Sequence, residues 1–96
     1  MKVVKINMEV VETWDNFHDI FYEKFNFPNY YGRNMDAWID CMNDLTDDIV
    51  VLDLKKYSNY SDYKNEFILA VLESAAFVNY RRVESGEKPF LIVSMS

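Results

Sequence analysis

Apolar positions recur along this chain with two periods, and the changes of period mark its elements. From Lys2 to Met8, Val3, Val4, Ile6 and Met8 partly alternate with lysine and asparagine, which predicts a first strand. Trp14, Phe17, Phe21 and Phe25 then recur three and four apart. That spacing predicts a helix with one aromatic face, capped by Thr13 and running to about Phe25. Asn26 to Arg33, punctuated by Pro28 and Gly32, predicts a loop. Asn34 can cap a second helix, to about Leu45. Ile49, Val50, Val51 and Leu52 are apolar without alternation, the pattern of a strand covered on both faces. Lys55 to Tyr60 admits a helical turn. Ser61 or Asp62 can cap a long helix through Phe67, Val71, Leu72, Ala75 and Val78 to about Ser85. Gly86 ends it and Pro89 follows. Phe90, Leu91, Ile92 and Val93 predict the last strand.

Strands separated by helices imply right-handed crossovers and a parallel sheet. The expectation is a small α/β domain, a three-stranded parallel sheet packed with helices, spanning 1–96 as a single domain. The 96 residues are 50% hydrophobic and 17% aromatic, which excludes a disordered chain. One cysteine, Cys41, excludes an internal disulfide and fits a reducing compartment. The opening MKVVKINMEVVE carries charges where a signal peptide needs an apolar core. No apolar run approaches the roughly 18 residues of a membrane helix. These features predict a cytoplasmic protein, without a membrane partner and monomeric when free.

The formal charge is −6, and its distribution matters more than its size. Asn29 to Asp53 holds six aspartates against one base, Arg33, a net of −5, so the rest of the chain is nearly neutral. A charge so concentrated focuses a negative field on one surface. It excludes nucleic acid as a partner, since phosphate binding needs a basic patch, and it points to a basic partner.

Chemistry of the catalytic kind is scarce. His18 is the sole histidine and reads as a surface or core-edge residue among aromatics. Cys41 falls on the apolar side of its helix and reads as a small hydrophobe. No Gly-rich phosphate loop, nucleophile elbow or His/Cys metal cluster is present. Asp44, Asp47 and Asp48 fail the spacing of a calcium loop. The expectation is no enzyme, no cofactor and no metal.

The helix from Asn34 is the informative element. Counted at 100° per residue from Met35, Asn43 lies at about 80°, Asp36 at 100°, Asp40 at 140° and Asp44 at 180°. Trp38, Cys41, Met42 and Leu45 fall between about 240° and 340°, toward the core. Ile39, near 40°, sits at the border. Like charges four apart repel, and no base on the helix compensates them. A solvated face is the bland reading, but solvated faces usually interleave the two signs. In the turn before the helix, Tyr30 and Tyr31 could both anchor the core. The reading preferred here buries Tyr31 and lets Tyr30 project. Gly32 permits a close approach or a positive φ. An aromatic, a bare backbone and a row of carboxylates suit recognition of a basic protein surface. Arg33, the lone base, would then oppose a cationic partner.

PNYYGRNMDAWIDCMND resembles the signature of the barstar family, the intracellular inhibitors of secreted bacterial ribonucleases. Pro28, Tyr30, Tyr31, Gly32, Asn34, Asp36, Ala37, Asp40 and Cys41 carry the likeness, and the element order extends it over the chain. The resemblance implies that turn and helix plug a ribonuclease active site. Tyr30, Gly32 and Asn34 would contact the enzyme, and Asp36 and Asp40 would pair with its basic residues. Asp40 would stand where the substrate's phosphate binds. With Ile39, Asn43 and Asp44 these residues form the expected partner-binding set.

There are departures. A family tryptophan falls on Ile39, a glycine–tryptophan pair on Asp44 and Leu45, and acidic residues flanking the turn on Asn29 and Arg33. A contacting glutamate of the last long helix falls on Ser74, beside Glu73, or on Arg81. The resemblance implies an inhibitor of a basic ribonuclease or toxin nuclease domain. The alternative is a protein-interaction module on the same fold with a different basic partner.

Overall fold

The computed structural model describes residues 1–54 and 62–95, with backbone alone over 62–65. The expected turn at Lys55 to Tyr60 and the Ser61 cap lie outside the described residues. The elements are β1 (Lys2–Lys5), α1 (Trp14–Phe25), α2 (Met35–Asn43), β2 (Val50–Asp53), α3 (Asp62–Glu84) and β3 (Leu91–Ser94). The strands form one parallel sheet in the order β1-β2-β3. The protein is thus an α/β fold with a three-stranded parallel sheet packed with helices.

Local chemistry sets most boundaries. Thr13 Oγ1 accepts from the amide of Asn16, and Asn34 Oδ1 from that of Ala37 at 2.8 Å, so both helices start at side-chain caps. Helix α1 stops at Asn26, which takes the left-handed conformation (φ 53°) open to asparagine. Gly86, at φ 81°, follows α3. Strand β1 is shorter than its apolar pattern predicts. Asn7 Oδ1 accepts from the amide of Glu9 and starts a 3-10 turn over Met8–Val10, which takes Met8 out of the strand and buries it.

Sheet coverage differs from the expectation for β2. In register, Val4, Leu52 and Val93 share one row, and Val3, Val51 and Ile92 the next. Val4 and Leu52 are buried and Val93 is partly buried, whereas Val3 and Ile92 are half exposed. The core therefore lies on one face of the sheet. Right-handed crossovers that step the same way along a sheet lie on the same face, which leaves the other open. Over the covered face, Phe17, Phe21, Trp38, Met42, Val71 and Val78 are fully buried. Trp14 Nε1 donates to Glu66 and ties α1 to α3.

The entry to β3 hangs on Asn79 of α3. Its Oδ1 accepts from the amides of Phe90 and Leu91, each at 3.0 Å, and its Nδ2 donates to Leu91 O at 2.9 Å. Replacing Asn79 with alanine leaves these part-buried groups unpaired and should cost about 1–3 kcal/mol of stability. Urea unfolding, with hydrogen exchange read at the Leu91 amide, checks this. Unchanged protection there would mean that the ladder alone holds β3.

Candidate functional site

The turn from Pro28 to Asn34 projects from the end of α1 and is held on every side. The amide of Tyr31 donates to Pro28 O at 2.9 Å, and Tyr22 Oη donates to Asn29 Oδ1 at 2.9 Å. The two tyrosines part company. Tyr31 is buried and its hydroxyl is hydrogen-bonded to Nδ1 of His18, while Tyr30 is 85% exposed. Two clefts border the turn. One, of about 290 Å³, is lined by Phe25, Phe27, Tyr30, Cys41, Asp44 and Leu45. The other, of about 250 Å³, lies between Trp14, His18, Arg33 and Met35.

Gly32 does not use the positive φ open to it; that conformation belongs to Arg33 (54°). A Cβ at Gly32 would come within 3.3 Å of the Ala37 Cβ in the first turn of α2, a tight approach. Arg33 is exposed, but its charge is shared with carboxylates of its own chain. Its Nη1 lies 2.9 Å from Asp19 Oδ1, and its Nη2 donates to Asp15 O at 2.8 Å. The guanidinium clamps the turn to α1 and offsets the strained backbone. Asn34 is committed too, with Oδ1 on the Ala37 amide and Nδ2 donating to Gly32 O.

Along α2, Asp36, Asp40 and Asp44 are exposed, and Ile39 and Asn43 are half-buried beside them. Trp38 and Met42 are fully buried on the opposite side. Asp44 is the residue that ends the helix, its amide donating to Asp40 O. The row is not without compensation, because α3 supplies two bases. Arg81 Nη1 lies 3.2 Å from Asp40 Oδ1. Arg82 Nη2 donates to Asn43 O at 2.8 Å and to Leu45 O at 2.9 Å, which caps the carbonyl end of α2 with a cation. Its guanidinium also lies over the Phe90 ring, at 3.8 Å. Both partners stand some forty residues away in sequence, so no local pattern reveals them. Of the late-helix positions considered, Ser74 is buried, Glu73 is exposed and Arg81 stands at the acidic face.

The structure gives Cys41 and His18 surroundings unlike those of a reactive pair. Burial first, then Asp44 and Asp40, push the Cys41 thiol up, away from the thiolate. His18 is buried among Trp14, Phe17 and Tyr31. Among the described residues no three His, Cys, Asp or Glu side chains group as metal ligands do. Nor is any helix of the described residues long and apolar enough to cross a membrane.

The family described as Barstar (barnase inhibitor) matches residues 1–93. The chain belongs to the barstar family. It is 33% identical over 73 residues to a protein of Bacillus subtilis (strain 168) named "Putative ribonuclease inhibitor YrdF". That match covers 76% of this chain and 80% of the relative. In this family member the turn and the exposed Asp36–Asp44 side of α2 adjoin, with Arg81 of α3 on Asp40.

His18 makes the anchoring sensitive to pH. Burial, and then the Arg33 charge, lower its pKa below the usual 6.5. The unfolded chain therefore takes up the proton first as the pH falls. The stabilisation from neutral His18 is present above pH 6.5 and is lost as the pH drops toward the folded value. Urea unfolding at pH 7.5 and 5.5 should show the wild type weaker at the lower pH, with a smaller difference in His18→Gln. An equal loss in both proteins would assign the effect to other groups.

Proposed function

We propose that this chain is a non-enzymatic inhibitor of a basic ribonuclease, a cytoplasmic antitoxin or immunity-type protein acting as a single barstar-like domain. Family membership and the name of the Bacillus subtilis relative support the ribonuclease as the target class. One observation carries the mode of action: exposed Asp36, Asp40 and Asp44 run beside projecting Tyr30 on a backbone already held in place. The partner-binding set is Tyr30, Gly32, Asn34, Asp36, Ile39, Asp40, Asn43 and Asp44.

Stoichiometric occlusion follows from the chemistry of the target. A ribonuclease gathers Arg, Lys and His around the phosphate it cleaves. A carboxylate fixed on a helix offers those donors the same charge in the same place and contains no bond to cleave. The focused field also steers encounter, most strongly at low salt. Asn34 acts as a positioning residue, because its side-chain groups are engaged within the turn. Arg81 competes with the target for Asp40 until the complex forms. Ile39 at the contact centre and Arg81 at its edge favour a target that differs from barnase in detail. They also keep open a basic partner of another kind.

Titration of the protein into RNA cleavage by a barnase-type ribonuclease tests this reading. Activity should fall to zero at one-to-one stoichiometry. Asp40→Ala removes one exposed ion pair and relieves repulsion along the row, so stability should change by less than about 1 kcal/mol. Binding should weaken by roughly 2–5 kcal/mol, because basic groups in the enzyme lose their partner on burial. A variant that inhibits like the wild type, or that unfolds readily, would remove the acidic face from the mechanism. A protein that leaves small basic ribonucleases untouched would move the reading to a different basic partner. Arg81→Ala should speed association with the same enzyme, more so at low salt. A slower rate would mean that the enzyme presents an acid to Arg81.

A further inference from the structure

Helix α3 is apolar on two sides. Its inner side, with Phe67, Val71, Ala75 and Val78, is buried in the core. On its outer side Leu69, Leu72, Tyr80 and Val83 are 40–58% exposed. At 100° per residue from Leu69 these four and Ala76 fall within about 80° of arc, roughly opposite the core side. Arg81, which reaches Asp40, lies about 120° away, so the stripe does not face the α2 surface. The exposed parts amount to apolar surface on the order of 400 Å², the size of the largest patch on a typical monomer, which is often functional.

The edges of the stripe state what would cover it. Glu66, Glu73 and Glu84, all exposed, line one edge at about 40–60°; Glu66 accepts from Trp14 Nε1 and Glu84 from Tyr80 Oη, each through one oxygen, and both keep their charge. Beyond them Phe77 stands half exposed, its ring 6.4 Å from that of Tyr80. The other edge holds Asn79, bound to β3, and no charge among the described side chains. A second copy of this chain answers the pattern poorly. Antiparallel pairing about Ala76 brings Glu66 level with Glu84 of the mate, about 3 Å apart along the axis and on the same side. Parallel pairing leaves each acidic edge against an uncharged one. An anionic lipid surface is repelled by the same glutamates.

We propose that the outer face of α3 is a second docking surface, separate from the acidic face of α2, for an amphipathic helix of a partner protein with Lys or Arg along one edge. The stripe from Leu69 to Val83 runs about 21 Å, four turns of such a helix. Leu and aromatic side chains there would supply the burial, and the glutamates would set orientation and choose the sign of the partner.

The probe is a fluorescent 18-residue amphipathic helical peptide with leucines on its apolar face and lysines on the edge that meets the glutamates. A twin carries glutamates in their place. The lysine peptide should bind at least tenfold tighter than the twin at low salt, and the gap should close at high salt. Leu69→Ser with Val83→Ser should abolish binding, leave the urea midpoint unchanged and inhibit the ribonuclease like the wild type. That last readout separates failure here from failure of the ribonuclease reading. Equal binding of the two peptides, or binding of neither, overturns the proposal. So does sedimentation of the protein alone as a dimer that the double variant dissolves, or loss of ribonuclease inhibition in that variant.

Discussion

Two adjacent arginines on α3 supply the positive charge that α2 lacks. Three aspartates at every fourth position repel one another, and two lie in the half of the helix where the dipole disfavours negative charge. Nine residues are too few for a helix to persist alone under that load. Arg82 supplies a cation to the last carbonyls of α2 and Arg81 one to its central carboxylate. Trp38 and Met42, buried beneath, supply the apolar contact. The acidic surface is thus a property of the α2–α3 pair, and it is bare only where α3 does not reach.

Rigidity of the turn is the second requirement. Binding that must order a loop loses affinity to entropy, and a loop held in advance does not. Here the holding is distributed. Arg33 pulls the turn onto α1 through Asp19 and the Asp15 carbonyl. Gly32 lets it close on Ala37, and Tyr31 anchors it to His18 inside the core. Among the described residues, what remains without a partner inside the chain is Tyr30's exposed ring and, on α2, the carboxylates other than Asp40.

The one-sided sheet has consequences for the rest of the surface. Both connections cross the same face, so the helices form a single layer with its own exposed side. Helix α3 is central to that layer. It packs on α2 and β3, lends both arginines to α2, and holds the start of β3 through Asn79. The internal contacts leave its outer stripe uncommitted. Among the described residues, Trp38 Nε1 and Arg82 Nε are buried side-chain nitrogens without a hydrogen-bond partner.

Sequence by itself determined the element order, the parallel sheet and the two caps that start α1 and α2, because these follow from apolar period and from side chains within four residues. It also separated the acidic side of α2 from the buried one, whereas the fold alone settled that Tyr31 is buried and Tyr30 projects. Tertiary structure alone decided the rest. Crossover geometry, which no strand encodes, left one sheet face open around Val51. The ion pairs of Arg33 and Arg81 join elements 14 and 41 residues distant, and charge read along a chain says nothing of charge brought in from elsewhere. That is why Arg33, exposed as it is, is paired within its own chain, and why the acidic row, unpaired on its own helix, meets a base from another.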